Sequence, residues 1–296
     1  MIANVKKKAS TENRIGFLLV LPAMLVFTAI IFYPFLQSLS LSFTDKSMLS
    51  PSMNFTGITN FISLFKDPNF YEIFKNTLIF VAGGTLLPFL LAFAWSIVLN
   101  EGFRGEKLLR TLTLVCWVIP STSIGLLWIW MFNGNYGVIN AFMQHLGLIS
   151  KNITFMGRPD TAMIAVIIAK TWQTLPWFMA FLLGGLQSAP QDQAEAVKMD
   201  GGNNWTVMRH VIMPHMKSLV YIILILGVIG SFQQFDLVWV MTQGGPARST
   251  TTLAVEVYRR AFESYDIGGA AAVGMVWVLL LSIFAVMYVR SMKDKS

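Results

Sequence analysis

The sequence predicts an all-α, polytopic membrane protein of six transmembrane helices, with both termini cytoplasmic and a cytoplasmic helix-turn-helix between the fourth and fifth spans. Three observations carry that prediction. The 296 residues are 55% hydrophobic and 12% charged, with a mean hydropathy of +0.60, against about 25% charged in a soluble domain. Too little polar surface exists to cover a water-soluble fold, which excludes most soluble enzymes. Six stretches are apolar over about 20 residues, the length needed to cross the roughly 30 Å hydrocarbon core. Their connecting segments divide the basic residues unevenly.

The first span is read at residues 15–33. Lys6, Lys7, Lys8 and Arg14 precede it, as they would a signal peptide. The run is too long for a typical h-region, and it leaves through Tyr33-Pro34-Phe35 rather than a small-residue cleavage site. It is therefore read as retained, after a cytoplasmic tail of residues 1–14. The second span, 77–99, holds Gly83-Gly84, and the third, 112–132, holds Cys116 and Pro120. The fourth, 161–186, carries Lys170 and Pro176; the fifth, 219–241, carries Gly227, Gly230 and a polar stretch after Ser231. The sixth, 270–289, opens with Ala270 and Gly274 four apart, and a second tail, 290–296, follows. Membrane helices tolerate Gly, Pro and small polar residues where neighbours satisfy the freed backbone groups. Gly83-Gly84, Gly227 with Gly230, and Ala270 with Gly274 are read as points of close helix approach. Residues 15–289 thus form one transmembrane domain.

Six spans put both ends on one side. That side carries thirteen Lys and Arg, in the two tails, in the loop with Arg104, Lys107 and Arg110, and in the loop with Lys198, Arg209 and Lys217. The longer segments opposite, 34–76, 133–160 and 242–269, carry eight. The bias places both termini in the cytoplasm and makes the net charge of +7 an orientation signal, not a nucleic-acid surface. Lys170 is left over inside the fourth span. The one cysteine excludes an internal disulfide.

The long cytoplasmic loop, 187–217, has internal order. Residues 191–199 are good helix formers behind Pro190, and Asp200-Gly201-Gly202 is a stop and turn signal. Asn203 or Asn204 then caps a second helix, expected to end before Pro214.

Glu195-Ala196-Val197, Asp200-Gly201-Gly202 and Val211-Ile212-Met213-Pro214 resemble the "EAA" loop of binding-protein-dependent ABC importer permeases, E-A-A-x-x-D-G-A followed by L-P. The Glu-to-Gly and Gly-to-Pro separations, six and thirteen residues, are the family's. The sequence departs at Val197 and Gly202, where the pattern has Ala, and at Met213, where it has Leu. Thr242-Gln243-Gly244-Gly245-Pro246 with Ser249, Thr250, Leu253, Tyr258, Ala261 and Phe262 resembles the first permease subunit of carbohydrate importers of the maltose and glycerol-3-phosphate type. Smaller echoes run from Asn54 to Phe61, from Phe103 to Gly105, at Pro120 and from Gly137 to Asn140. The resemblance implies a heterodimeric pore with a second permease subunit, two ATPase subunits and an external solute-binding protein, in the bacterial inner membrane. It also implies a carbohydrate-like substrate and alternating access. ATP and Mg²⁺ are expected on the ATPase subunits; this chain has no G-x-x-x-x-G-K-[ST] loop. No cofactor, metal, nucleic acid or catalytic residue is expected on this chain, whose remaining partner is membrane lipid.

By the same resemblance, Glu195, Ala196, Asp200 and Gly201 couple the chain to the ATPase: Glu195 by a charged contact, Gly201 by permitting the turn, Asp200 by fixing it. An amphipathic helix lying on lipid would not need the Asp-Gly spacing. Lys170 lies nine residues into its span, about 14 Å deep, where a charge costs roughly 3 kcal/mol unless it meets a cavity or a partner. It either lines the solute path or forms a structural pair. Trp172 and Gln173 beside it, with Gln233, Gln234 and Asp236 of the fifth span, complete the substrate-path candidates, a mixture of apolar faces and hydrogen-bonding groups suited to a sugar. Each Trp is more often lipid-facing or interhelical packing. His210 and His215 lack the companions a zinc site needs. A stand-alone secondary transporter would show inverted repeats and interrupted helices, and the sequence displays neither. The substrate stays open between a neutral oligosaccharide and an anionic sugar.

Overall fold

The structure, a computed structural model, describes residues 16–293. The tail 1–14, with its four basic residues, and residues 294–296 lie outside the described residues. Every described element is helical; pairing of the β type is confined to isolated bridges at Thr44–Phe55 and Ser47–Asp266. In chain order the helices are α1 (Gly16–Leu41), α2 (Thr59–Lys66), α3 (Pro68–Leu99), α4 (Glu106–Val118), α5 (Ser121–Met131), α6 (Val138–His145), α7 (Pro159–Gln187) and α8 (Gln191–Met199). They continue with α9 (Asn204–Phe232), α10 (Asp236–Thr242), α11 (Leu253–Tyr258) and α12 (Ile267–Lys293). Among the described residues, five single helices are long and apolar enough to cross a membrane, six spans if the bent pair α4–α5 counts as one.

Five boundaries depart from the sequence reading, the first span among them, since α1 runs past Tyr33 to Leu41. α3 starts at Pro68 rather than Thr77, because Asp67 caps it, its carboxylate accepting the Asn69 N–H at 3.0 Å, and Pro68 takes the first turn. The third span is not one helix: α4 and α5 meet at 103°. Pro120 forces Ile119 out of the α region, to φ −70° and ψ 131°. The fifth span is also interrupted, α9 ending at Phe232 and α10 restarting at Asp236. The expectation of uninterrupted helices is corrected at both places. Finally, the helix expected to stop before Pro214 runs through it. A π-turn at Met208–Ile212, closed by the Met213 N–H on Met208 O, widens the helix where the ring would strike the His210 carbonyl. α1 repeats the device, with a π-turn at Thr28–Phe32 before Tyr33-Pro34.

The described residues form two compact units, 16–66 with 259–275 and 67–258 with 276–293. In the first, Asn60 ties down the segment after α1, its Nδ2 donating to Ser42 O at 2.9 Å and Thr44 O at 2.8 Å. Gly268 lies against Thr44 O, where a Cβ would clash. Asn54 donates its backbone N–H to Asp45 Oδ1 at 2.6 Å and its amide to Oδ2 at 2.9 Å. Those two donors, the backbone one foremost, hold the Asp45 carboxyl below its ordinary 3.8.

In the second unit α3 and α7 pack side by side, with Phe89 edge-on to Phe178 and Ser96 Oγ donating to Met179 O at 3.2 Å. One apolar cluster joins Phe80, Ile124, Trp128, Val166, Leu237 and Val255. The other joins Ala92, Phe178, Leu182, Leu186, Met216 and Ile223. Glycines expected at close approaches divide. A Cβ on Gly83 would meet Ile167 Cδ1 at 2.7 Å, and one on Gly227 would meet Phe178 Cζ at 2.5 Å, whereas Gly230 and Gly274 have nothing within 4 Å.

The resemblance motifs outside the spans are structural locks. Asn140, 1% exposed, donates to Asn133 O at 3.1 Å and Ile153 O at 2.9 Å and accepts the Ile153 N–H at 2.9 Å. In the Thr-Gln-Gly-Gly-Pro segment, Thr250 and Thr251 are fully buried. Their hydroxyls donate to Gly245 O at 2.8 Å and Gly244 O at 2.9 Å. Asn76 and Thr77 of α3 fasten the segment through Arg248 O and the Leu253 N–H.

Candidate functional site

The loop motif folds into a compact turn. α8 ends at Met199 with Asp200 as its cap, Gly201 turns left-handed at φ +83°, and two backbone bonds close the end. Gly202 N–H donates to Val197 O at 2.9 Å and Gly201 N–H to Lys198 O at 3.1 Å, the paired pattern of a glycine-terminated helix. Asn203 then caps α9, its Oδ1 accepting the Thr206 N–H at 2.9 Å. The turn is held by backbone groups; Asp200 lies exposed at its edge with Glu195, Ala196 and Gly201. Two residues the sequence reading passed over share this surface, Met199 at 87% and Trp205 at 70% exposure. Their signal was available: large apolar side chains flanking a polar turn. His210 and His215 rest on Thr206 O and Ser188 Oγ.

α9 leads from this turn to a polar layer at its other end. Thr85 Oγ1 and Ser231 Oγ are 3.0 Å apart. Lys170, 7% exposed, donates from Nζ to Gln234 Oε1 at 2.8 Å, across the interruption between α9 and α10. Gly84 leaves room for the lysine stem, since a Cβ there would stand 3.1 Å from Lys170 Cγ. Gln173 Nε2 donates to Ser121 Oγ at 2.7 Å, while Gln173 Oε1 is buried without a partner. Lys170, Gln173, Thr174 and Trp177 of α7 line a cavity of about 370 Å³ with Trp117 and Ser121.

Of the substrate-path candidates, the structure brings together Lys170, Gln173 and Gln234. It places Trp172 in a separate recess with Trp95, Thr113 and Cys116, edge-on to Trp128 at 6.2 Å. Gln233 is exposed at the end of α9 and Asp236 at the start of α10. Ser121 and Trp117 were not singled out from the sequence, because they approach Lys170 only through the bend at Pro120.

Residues 84–291, more than two thirds of the chain, match the model of the binding-protein-dependent transport system inner membrane component family. A probable ABC transporter permease protein of Brucella suis biovar 1 is 32% identical over 283 residues, covering 94% of this chain and 97% of that protein. The trehalose/maltose transport system permease protein of Thermococcus litoralis is 30% identical over 283 residues, covering 94% of each. In fold, the chain is similar to one in the crystal structure of a bacterial ABC transporter involved in the import of the acidic polysaccharide alginate. The TM-score is 0.82 at 17% identity, over 98% of this chain and 99% of that one. With its membrane-length helices the chain is a multi-pass inner-membrane protein, and it belongs to the family of binding-protein-dependent transport system inner membrane components.

Proposed function

We propose that the chain is one half of the heterodimeric pore of an ABC importer and moves a sugar or sugar-like solute by alternating access. Both termini, the tails 1–14 and 290–296 included, lie in the cytoplasm with the loop 187–217. A second permease subunit completes the pore, an external solute-binding protein delivers the ligand, and two ATPase subunits hold ATP and Mg²⁺. This chain contributes no catalytic residue and binds no cofactor. The carbohydrate class is supported by the name of the Thermococcus relative, which specifies trehalose and maltose.

The observation that carries the reading is the continuity of α9 between the exposed turn and the polar layer. Glu195, Asp200 and Gly201, flanked by Met199 and Trp205, form the docking surface: a charged group and two apolar anchors around a tight turn, a mixture suited to a protein interface. Met208, Ile212 and Met216 of α9 pack into the apolar cluster with Leu186 and Phe178, so displacement of the turn is carried into the membrane helices as a packed, two-state motion. Lys170, Gln173 and Gln234 meet the solute, with Trp172, Gln233 and Asp236 further along the path. Family membership sets aside a stand-alone secondary transporter.

The test co-expresses the chain with its neighbouring subunits. Glu195→Lys and Gly201→Asp are expected to abolish both co-purification of the ATPase subunits and ATP-driven sugar uptake into proteoliposomes. Persistence of both would refute the docking surface.

A further inference from the structure

We infer that the cavity beside Lys170 selects an acidic sugar, one that carries a carboxylate, sulfonate or phosphate on a hydroxylated ring. The inference rests on the importer reading and adds the chemical class of its solute.

The first observation is an unspent charge. Lys170 is buried, and its one protein partner among the described residues is the neutral Gln234. The ion pairs among those residues, Arg110–Glu106, Arg158–Asp160 and Arg259–Glu263, leave it out. An ammonium withdrawn from water is costly unless a counter-charge repays the loss. Lys170 has three donors and uses one, and its side chain lines the cavity. A structural lysine would be expected to sit on a carboxylate or helix carbonyls; this one sits on an amide oxygen and open space.

The second observation is independent of the first. The bend at Pro120 makes α5 begin at the same cavity, Pro120 and Ser121 forming part of its wall. The eleven-residue helix has no side-chain cap at its start. Its first turn therefore presents unpaired backbone N–H groups and the positive end of the helix dipole. An unbroken third span would have presented neither. A buried cation and an uncapped helix start on one cavity both favour an anion.

The remaining wall specifies what carries the anion. Gln173 Oε1, buried and unpaired, accepts a hydrogen bond, which a hydroxyl supplies and an anionic group does not. Trp117 and Trp177 add apolar faces that suit the C–H side of a ring. The volume, about 370 Å³, is in the range of small-ligand sites. Gln234 acts as a positioning residue that holds the ammonium in place.

The test uses the importer assembled in nanodiscs without its solute-binding protein, so that only the pore discriminates. Tryptophan fluorescence is titrated with glucuronate, glucose 6-phosphate, 6-deoxy-6-sulfoglucose and glucose. At least one anionic probe is expected to bind about tenfold or more tightly than glucose, the scale of one charge-assisted hydrogen bond. The strongest of the three identifies the anion. Lys170→Gln should erase the preference, while Lys170→Arg should retain it. The wild-type comparison needs no variant, so it holds even if Lys170→Gln misfolds. Glucose binding as tightly as all three anions, or a preference that survives in Lys170→Gln, overturns the proposal. In either case ATP-driven uptake of a neutral sugar by the same preparation leaves the importer reading standing. Failure to bind any sugar, with no ATP-driven uptake, overturns both.

Discussion

A Cβ added to Gly202 would stand 2.6 Å from Val197 Cγ1, so the methyl groups gained at one position occupy the space given up at the other. The family pattern has Ala at both positions, and these two departures are one exchange. Gly202→Ala is expected to cost about 1–3 kcal/mol through overpacking. In a Val197→Ala background the cost should fall by about 1 kcal/mol; part remains, because Val197 O stands 2.7 Å from the same Cβ. Thermal unfolding of the wild type and the three variants closes the cycle, and equal costs in both backgrounds would deny the exchange.

Gly201 is constrained differently. Nothing lies within 4 Å of a Cβ there, but its φ is +83°. Gly201→Ala should therefore cost about 1 kcal/mol from backbone conformation alone. Gly201→Asn, which tolerates the left-handed region, should cost less. An equal loss in both variants by thermal unfolding would point instead to a steric demand.

Glycines of one span should respond in opposite ways. Gly227→Ala drives a methyl onto Phe178 and Thr85 Cγ2 and is expected to destabilise the purified chain by about 1–3 kcal/mol. Gly230→Ala meets open space and should be neutral or gain up to about 1 kcal/mol from helix propensity. Unfolding curves in detergent distinguish the two.

Removal of the Asn140 amide leaves Ile153 O and the Ile153 N–H unpaired and leaves Asn133 O with the Gly137 N–H alone. Asn140→Ala is expected to cost about 1–3 kcal/mol and to speed proteolysis of the 133–158 segment. Asn140→Asp, which keeps the acceptor and loses the donors, should lie between. Cleavage rates unchanged in both would contradict the lock.

Asp45 gives the segment after α1 a pH dependence. Its carboxyl titrates below the ordinary 3.8 in the folded chain, so its stabilisation is complete above that value and is lost as pH falls through the lower folded value. Hydrogen exchange at the Asn54 amide should rise over that acidic range in the wild type. In Asp45→Asn the exchange should be raised already at neutral pH and vary less with acid.

The spans were legible because apolar length is a property of the sequence alone. The interruptions were legible only in part. Pro120 marked the third span as breakable, whereas Gln233, Gln234 and Phe235 contain no Gly or Pro and interrupt the fifth span where Gln234 meets Lys170. That is a tertiary contact without a local signature. Pro34 and Pro214 mislead in the other direction, since a π-turn lets a helix pass a proline and has no residue code. Small residues announce a capacity for close packing, but Gly227 and Gly230 differ only in which neighbour they face. The turn at Gly201 was readable from Gly201 and Asn203, while Asp200, expected to fix it, lies exposed at its edge. The cavity was not readable, because Ser121 and Trp117 come beside Lys170 only after the chain bends.

The unbroken run of α9 from Asn204 to Phe232 also has a mechanical meaning. Its 29 residues span about 43 Å at 1.5 Å per residue. Pivoted at the Gly201 turn, such a lever swung by about 5° displaces its far end by roughly 4 Å. That stroke exceeds the 2.8 Å between Lys170 and Gln234, so a small rotation about the turn is enough to uncouple the lysine from its holder.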